Sequence, residues 1–212
     1  MGVINITPFF YKDNLKICNI FRLLKFIFGI NQNTSFKNNI MKKILTLLVV
    51  VLFAFVGCKT TTPSNEITIT LEPKSGSNVS GTAVFSEKNG VVTLRAKLRG
   101  LTPGIHAIHI HEKADCSSED GKSAGGHWNP TFKNHGKWGD AEYHKGDIGN
   151  FTSDVDGNAT VLFKTDQWCI GCSDDTKNIL NKGLIVHENP DDYKTQPTGN
   201  AGGRVACSAI IK

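Results

Sequence analysis

The segment "NGVVTLRAKL", residues 89–98, decides the fold class of this chain. Its apolar side chains alternate with polar ones, in the order Val92, Thr93, Leu94, Arg95, Ala96, Lys97 and Leu98. Because successive side chains of a strand point to opposite faces, this alternation predicts a strand with one buried and one solvent-facing side. The preceding pair, Asn89 and Gly90, favours the positive backbone angles of a tight hairpin turn. The segment therefore predicts an antiparallel strand.

Similar strand signals recur along the chain after residue 58. They are "EITITL" (66–71), "HAIHIH" (106–111), "NATVLF" (158–163), "GLIVH" (183–187) and "RVACSAII" (204–211), with a second turn signal at Asp156-Gly157. Long helical periodicity is absent there, so we expect an all-β antiparallel sandwich or barrel. Residues 112–148, rich in Gly, Asp, Asn and His, are too long for a plain connection. Loops of that length usually carry function.

The charge of the chain is concentrated at its N-terminal end. Residues 1–57 hold 7 of the 24 Lys and Arg but only 1 of the 19 Asp and Glu, which leaves 17 basic and 18 acidic residues beyond them. The formal net charge of +5 therefore does not describe the part of the chain with strand signals. That part has no basic excess of the kind that nucleic-acid binding requires.

Residues 41–58, "MKKILTLLVVVLFAFVGC", have the order of an export signal: two lysines, an apolar run, a small residue and Cys58. The apolar run is shorter than the roughly 20 residues of a membrane span. Gly57 before Cys58 resembles a bacterial lipobox, which predicts a signal peptide over 41–57 and a lipidated Cys58. The alternative is an ordinary secretory signal with an incidental cysteine, because Phe55 is uncommon at its lipobox position.

The segments around this signal predict a simple domain order. Residues 1–40 precede a complete signal, so we interpret them as translated upstream sequence without function. The alternative is that "LKICNIFRLLKFIFGI" (15–30) forms a basic amphipathic helix on a membrane. The polar residues 58–65 predict a tether, and residues 66–212 predict the folded domain.

All seven histidines lie between residues 106 and 187. His109 and His111 fall on one face of their predicted strand, whereas His106 falls on the other face with Ile108 and Ile110. The remaining candidates are His127, His135, His144, Asp147 and His187. Imidazole suits copper and zinc, and a carboxylate among imidazoles suits zinc better. The cluster therefore predicts a site with room for two different metals.

Five separated motifs then identify a family resemblance. They are "HIHE" (109–112), "AGGHWNP" (124–130), "NHG" (134–136) followed by "HKGDIGN" (144–150), "VHE" (186–188) and "GNAGGRVAC" (199–207). In this order and spacing, the chain from about Ile67 to Lys212 resembles the Cu/Zn superoxide dismutases. The resemblance implies a Greek-key β-sandwich or flattened barrel with long metal-binding loops. It also implies dismutation of superoxide to oxygen and hydrogen peroxide.

The resemblance also implies the ligands of one copper and one zinc per chain. Copper would take His109, His111, His127 and His187, and zinc would take His127, His135, His144 and Asp147. His127 would bridge the two metals, and His106 would be structural.

Other roles are implied by the resemblance alone. Asp191 would link a copper-ligand histidine to a zinc-ligand histidine, and Arg204 would attract superoxide in a channel narrowed by Thr198. Taken without the family, Asp191 is a solvated loop acid and Arg204 a surface charge. The loop from Asp191 to Gly199 is shorter than the charged loop of typical animal members, which leaves Lys194 as a candidate guide. Ser208 replaces a glycine common in the family, and neither change removes a ligand.

The cysteines fit an oxidising compartment. The resemblance pairs Cys116 with Cys207. Cys169 and Cys172, in "WCIGC", are outside the family pattern. They predict either a local structural disulfide or a functional pair, redox-active or receiving copper from a donor, and a CxxC alone does not decide between them. Cys18 lies in the segment expected to have no function.

Together these interpretations predict an exported superoxide dismutase of the cell envelope, periplasmic or at the surface, attached to a membrane through a lipid on Cys58. Its substrate would be the superoxide anion, with no nucleic-acid partner, and a homodimer stays open. The rival hypothesis is a lipoprotein that buffers copper or zinc without catalysis. Intact ligand sets and Arg204 weigh against that rival. A zinc hydrolase is weaker still, because no HExxH motif is present.

Overall fold

The structure, a computed structural model, describes residues 65–212. It contains eight strands: β1 Asn65–Pro73, β2 Ser80–Lys88, β3 Val91–Arg99, β4 Gly104–His111, β5 Gly149–Ser153, β6 Ala159–Thr165, β7 Lys182–His187 and β8 Arg204–Ile210. A single turn of 3-10 helix, Lys122–Ala124, is the one helical segment of this part of the chain. No helix within the described residues is both long and apolar enough to cross a membrane. The predictions for Cys58, the signal peptide, the tether's first residues and residues 1–40 lie outside the described residues.

The strands form one sheet in the order β5-β4-β7-β8-β1-β2-β3-β6, and every pair is antiparallel. Two four-stranded halves are joined by a short β1–β8 pairing, Glu72 with Cys207 and Pro73 with Ala206. The β5–β6 hairpin joins them again at the other edge, which nearly closes the sheet into a barrel. The connections from β3 to β4 and from β6 to β7 cross between the halves. This is the predicted Greek-key flattened barrel.

The core lies between the two halves and takes the inward-facing side chains of both. In β3, Val92, Leu94 and Ala96 are fully buried, whereas Arg95 and Lys97 are exposed. The alternation in "VVTLRAKL" therefore predicts the two faces of this strand correctly. The other fully buried large side chains of the core include Phe85, Ile108, Ile110, Leu184 and Ile210.

The two predicted turns differ in geometry. Asn89 and Gly90 both have positive φ, 53° and 75°, as a two-residue hairpin turn requires. At Asp156-Gly157 only Gly157 has a positive φ, 75°. There the carboxylate of Asp154 accepts hydrogen bonds from the backbone N–H groups of Asp156 and Asn158. The longer turn is therefore closed by Asp154, a role that the dipeptide signal did not reveal.

β4 differs from β3 because both of its faces are buried. Ile108 and Ile110 point into the core, and His109 and His111 are buried on the opposite face beneath the long loop. His106 packs its ring against Phe151 and bonds through Nε2 to the carbonyl of Thr102 at 2.8 Å. The prediction that His106 has a job separate from His109 and His111 agrees with this placement.

Leu94→Ala and Leu162→Ala test the assignment of inner and outer faces. Leu94 is fully buried, whereas Leu162, on the neighbouring strand β6, is 53% exposed. Loss of a buried leucine leaves a cavity, so Leu94→Ala should lower the free energy of unfolding by about 3 kcal/mol. Leu162→Ala should lower it by about 0.5 kcal/mol. Denaturant unfolding of the metal-free protein with its disulfides intact measures both, and equal losses would contradict the assignment.

Candidate metal centre

Seven buried side chains form two clusters that share one histidine. The four-histidine cluster contains His109, His111, His127 and His187. The three-histidine cluster contains His127, His135, His144 and Asp147. Within each cluster the candidate ligand atoms all lie within 4.8 Å of one another. The structure thus brings together every metal ligand predicted from the sequence.

The four-histidine cluster is built on neighbouring strands. His109 and His111 are on β4, and His187 ends β7, which pairs with β4. The register between β7 and β8 shifts at Val186/His187, so the regular ladder ends where the cluster begins. His127 comes from the long loop and lies opposite His111 in an isolated β-bridge. Alternation along β4 therefore provides His109 and His111. His187 comes from the neighbouring strand β7, and His127 comes from the long loop.

The loop of residues 112–148 is fastened to β4 by backbone hydrogen bonds. β5 pairs with β4 only as far as Ile108. Beyond that point the N–H of Ile110 donates to the carbonyl of Gly146 at 2.9 Å, and the N–H of Trp128 donates to the carbonyl of Ile110 at 2.9 Å. A side chain at Gly146 would overlap that carbonyl. The loop thus takes the place of β5 along β4 and carries His127, His144 and Asp147 to the site.

The ring nitrogens of the two clusters fit metal ions. Five buried ring nitrogens make no hydrogen bond: Nδ1 of His109, Nε2 of His127, Nδ1 of His135, Nδ1 of His144 and Nδ1 of His187. Two of them, in His135 and His144, lie 3.0 and 3.3 Å from the carboxylate of Asp147, which is itself a candidate ligand. Buried polar atoms are almost always paired, so a set of unpaired atoms in one place indicates a ligand. The opposite nitrogens of most of these rings are held by the protein, as is usual for metal-binding histidines. For example, His144 Nε2 lies 3.1 Å from the carbonyl of Lys133.

His127 lies between the two clusters. Its Nδ1 is 2.8 Å from Oδ1 of Asp147, while its Nε2 has no hydrogen-bond partner. Its ring centroid is 4.1 Å from that of His109 and 5.3 Å from that of His135. One imidazole therefore offers a nitrogen to each cluster.

Asp191 is a second link between the two clusters, in addition to His127. Its Oδ2 is 3.0 Å from Nε2 of His109, and its Oδ1 is 2.9 Å from Nε2 of His135. The carboxylate is buried. A side chain at Gly199, where φ is 69°, would overlap it. The residue that sequence alone would leave in a solvated loop is thus a buried link between two histidines.

Burial and the carboxylates set the charge of the clusters in the protein without metal. Burial, together with the nearby His109 ring, lowers the pKa of His127 to about 3. Burial also holds the pKa values of His111 and His187 well below the usual value. His135 behaves in the opposite way: burial opposes protonation, but the adjacent carboxylates of Asp147 and Asp191 raise its pKa to about 9. His135, which lies between two carboxylates, is therefore favoured as an imidazolium at neutral pH.

Arg204 begins β8 and is fixed beside the four-histidine cluster. Its two terminal nitrogens donate to the carbonyls of Gly121 and Gly125, each at 2.8 Å. The carbonyl of Gly125 also lies 3.0 Å from Nδ1 of His111. The guanidinium is therefore half-buried and held next to a cluster histidine. Its charge contributes to the lowered pKa values of His111 and His187.

The structure also shows the positions of three further residues named in the sequence analysis. Thr198 is half-buried in the loop before β8, Lys194 is exposed in the same loop, and Ser208 is buried in β8. None of the three contacts a cluster side chain through a hydrogen bond in the described part of the chain.

Residues 65–212 contain two disulfides. Cys116–Cys207 joins the long loop to β8, three residues beyond Arg204, and closes a separation of 91 residues. Cys169–Cys172 closes a separation of 3 residues in the connection between β6 and β7. The first is the pair implied by the family resemblance, and the second shows that the two cysteines of "WCIGC" pair with each other.

Sequence reasoning missed the amide side chains that brace the loop. Gln196 bonds to the backbone of His135, and Gln167 accepts from the hydroxyl of Tyr143 at 2.9 Å and from Nζ of Lys145. Tyr143 and Lys145 flank His144. Glutamine in a loop carries no distinctive sequence signal, so these contacts become visible only in the structure.

Comparison with known proteins agrees with this geometry. Residues 79–210 match the family described as "Copper/zinc superoxide dismutase (SODC)". The chain belongs to the copper/zinc superoxide dismutase family. It is 37% identical over 147 residues to a superoxide dismutase [Cu-Zn] of Caulobacter vibrioides, covering 68% of this chain and 84% of that protein. The crystal structure of the clock protein EA4 resembles it with a TM-score of 0.61 and 32% identity, covering 71% of this chain and 97% of that one.

Membership of this family gives the activity and the cofactors. The chain is an oxidoreductase that dismutates superoxide with copper and zinc. Among the described residues, the two histidine clusters could hold two metal ions. The disulfides in the structure agree with the oxidising surroundings expected from the cysteine content.

The raised pKa of His135 predicts proton release when zinc binds. A metal must displace the proton of His135, so zinc affinity should rise about tenfold per pH unit below the pKa of that residue. The rise should level off near pH 9, where His135 loses its proton without metal. Chelator competition across this pH range, with calorimetry in buffers of different ionisation heat, measures both quantities.

Asp191→Asn is the control for this effect. It removes one of the two carboxylates that hold the proton on His135, so zinc affinity should stop rising at a lower pH than in the unaltered protein. Zinc uptake at neutral pH without proton release in the unaltered protein would contradict the assigned charge.

Proposed function

We propose that superoxide is dismutated at copper held by the four-histidine cluster, with zinc held by the three-histidine cluster. The observation that carries this assignment is His127, whose ring is shared by both clusters. Four imidazoles without a carboxylate suit copper, whereas three imidazoles with Asp147 suit zinc. Residues 66–212 form the catalytic domain in this proposal.

Copper, when bound, supplies the electron acceptor and donor of the two half-reactions, while zinc has no redox role. The protein's part in proton transfer falls to His127. Its Nε2 has no hydrogen-bond partner among the described residues, so this atom would hold a proton in one half-reaction and release it in the other. Nδ1, which lies 2.8 Å from Oδ1 of Asp147, would hold the ring at the three-histidine cluster. A residue so held can take up a proton without moving away from the site.

Arg204 attracts the anionic substrate in this proposal. Two of its five N–H groups are used by the carbonyls of Gly121 and Gly125, so the others remain available to an anion. A guanidinium fixed in this way stays charged and keeps its direction. Thr198 and Lys194 have supporting roles along the approach, where the shortened loop leaves few other charges.

Arg204→Glu tests the guide directly. Replacing the cation beside the cluster should slow dismutation at least about tenfold and reverse the salt dependence of the rate. Pulse radiolysis at several ionic strengths measures this, with copper and zinc content determined on the same samples. Lys97→Glu is the matched control, because it makes the same change of charge at an exposed position on β3. An equal rate loss in both variants would reject Arg204 as a local guide.

We also propose that the domain protects the cell envelope from superoxide as a membrane-attached lipoprotein, periplasmic or surface-exposed. The lipobox-like residues before Cys58 and the two disulfides support this location. Residues 58–65 would then be the tether between lipid and domain, 41–57 the removed signal, and 1–40 a segment without function. A homodimer is compatible with this arrangement.

Cys58→Ala tests the anchor. The variant should move from the membrane fraction to the soluble fraction of the envelope, because a lipidated N-terminus needs the thiol of Cys58. Fractionation with an activity stain follows the protein in both fractions. Cys18→Ala is the matched control and should leave the distribution unchanged. Retention of the Cys58→Ala protein in the membrane would argue against lipidation.

A further inference from the structure

Gln196 makes a two-point contact with the backbone of a cluster histidine. The N–H of His135 donates to Oε1 of Gln196 at 2.9 Å, and Nε2 of Gln196 donates to the carbonyl of His135 at 2.9 Å. One side-chain amide thus pairs with both backbone groups of His135, as a neighbouring strand would. His135 lies outside every strand, and Gln196 is the one hydrogen-bond partner of its backbone among residues 65–212.

The ring of His135 is held by a different set of contacts. Nε2 lies 2.9 Å from Oδ1 of Asp191, and Nδ1 lies 3.0 Å from Oδ2 of Asp147. Carboxylates therefore orient the ring, while Gln196 fixes the backbone from which the ring extends. A displacement of His135 that the Gln196 side chain does not follow would break at least one of these two hydrogen bonds.

Gln196 and Asp191 belong to the same loop, residues 188–203, so this loop contacts His135 at two points. The loop is also closed on itself: the N–H of Asp192 donates to the carbonyl of Gly199 at 2.9 Å, and the carboxylate of Asp192 accepts from the N–H groups of Lys194 and Thr195, both at 2.8 Å. Gln196 is thus presented by a turn with its own hydrogen bonds, and the contact to His135 joins two long loops.

We propose that Gln196 is a positioning residue for zinc. By fixing the backbone of His135 it keeps the three-histidine cluster ready for the metal, and zinc bound at His135 in turn holds the loop of residues 191–199 in place. The inference rests on the proposed assignment of zinc to this cluster. Gln196 is exposed to solvent, so its replacement removes the two hydrogen bonds without opening a cavity in the core.

Gln196→Met is the test, since methionine has a similar length and no amide. Zinc affinity, measured by chelator competition, should fall about tenfold, the lower end of the losses seen when supports of metal ligands are removed. The visible absorption of the cobalt-substituted protein should change, because that spectrum reports the geometry around the metal. Hydrogen exchange of residues 191–199 should become faster in the zinc-loaded variant. Copper affinity and the melting temperature of the metal-free protein should stay as in the unaltered protein.

Lys194→Met is the matched control. It places the same side chain at another exposed position of this loop, where the lysine side chain makes no hydrogen bond or ion pair with the described residues. Zinc affinity and the cobalt spectrum of this variant should equal those of the unaltered protein.

Two results would overturn the inference while leaving the proposed function intact. One is an unchanged zinc affinity and cobalt spectrum in Gln196→Met. The other is a parallel loss of zinc, copper and melting temperature, which would show a general structural role. If the unaltered protein takes up neither zinc nor cobalt at the three-histidine cluster, the metal assignment fails and the inference with it.

Discussion

The site depends on β4 being buried on both faces. An ordinary outer strand of a barrel needs cover on one side only, as β3 shows with exposed Arg95 and Lys97. β4 places Ile108 and Ile110 in the core and His109 and His111 on the opposite face, so that face must be covered. The cover is the loop of residues 112–148, bonded to Ile110 through the backbone. Because β4 packs into the core with one face and presents histidines on the other, the ligands of the strand meet those of the covering loop.

Burying the site face of β4 disfavours the charged forms of the histidines and carboxylates there. Contacts between these side chains offset that cost. Imidazoles taken out of water resist protonation, which is why the pKa of His127 falls to about 3. Buried carboxylates resist ionisation, yet hydrogen bonds from histidines hold the pKa values of Asp147 and Asp191 well below the usual range. Each carboxylate is thus compensated by rings that would be left with unpaired nitrogens in its absence. Divalent metals complete this compensation, since they pair with the nitrogens that the protein leaves free.

Features that follow from local pattern could be predicted from the sequence, and features that depend on loop contacts could not. The faces of β3 and the separate place of His106 follow from strand alternation alone. The grouping of distant ligands required a family resemblance, because nothing in the residues themselves says that His187 meets His109. Neither strand alternation nor the family resemblance pointed to Gln196. Its contact with His135 depends on how two irregular loops meet, and side-chain amides at such positions follow no periodic rule.

The Cys169–Cys172 pair, for which sequence left two interpretations, has the surroundings of a structural link. Cys169 is 7% exposed and follows Trp168, whose indole N–H donates to the carbonyl of Lys145 at 2.9 Å. Asp174 and Asp175 follow Cys172, and nearby carboxylates disfavour the thiolate that exchange reactions require. These surroundings favour the structural interpretation, in which the disulfide closes the start of the connection from β6 to β7 beside Trp168. The connection closed by this disulfide and the loop of Gln196 thus contact the two ends of one ligand-bearing stretch, at Lys145 and at His135.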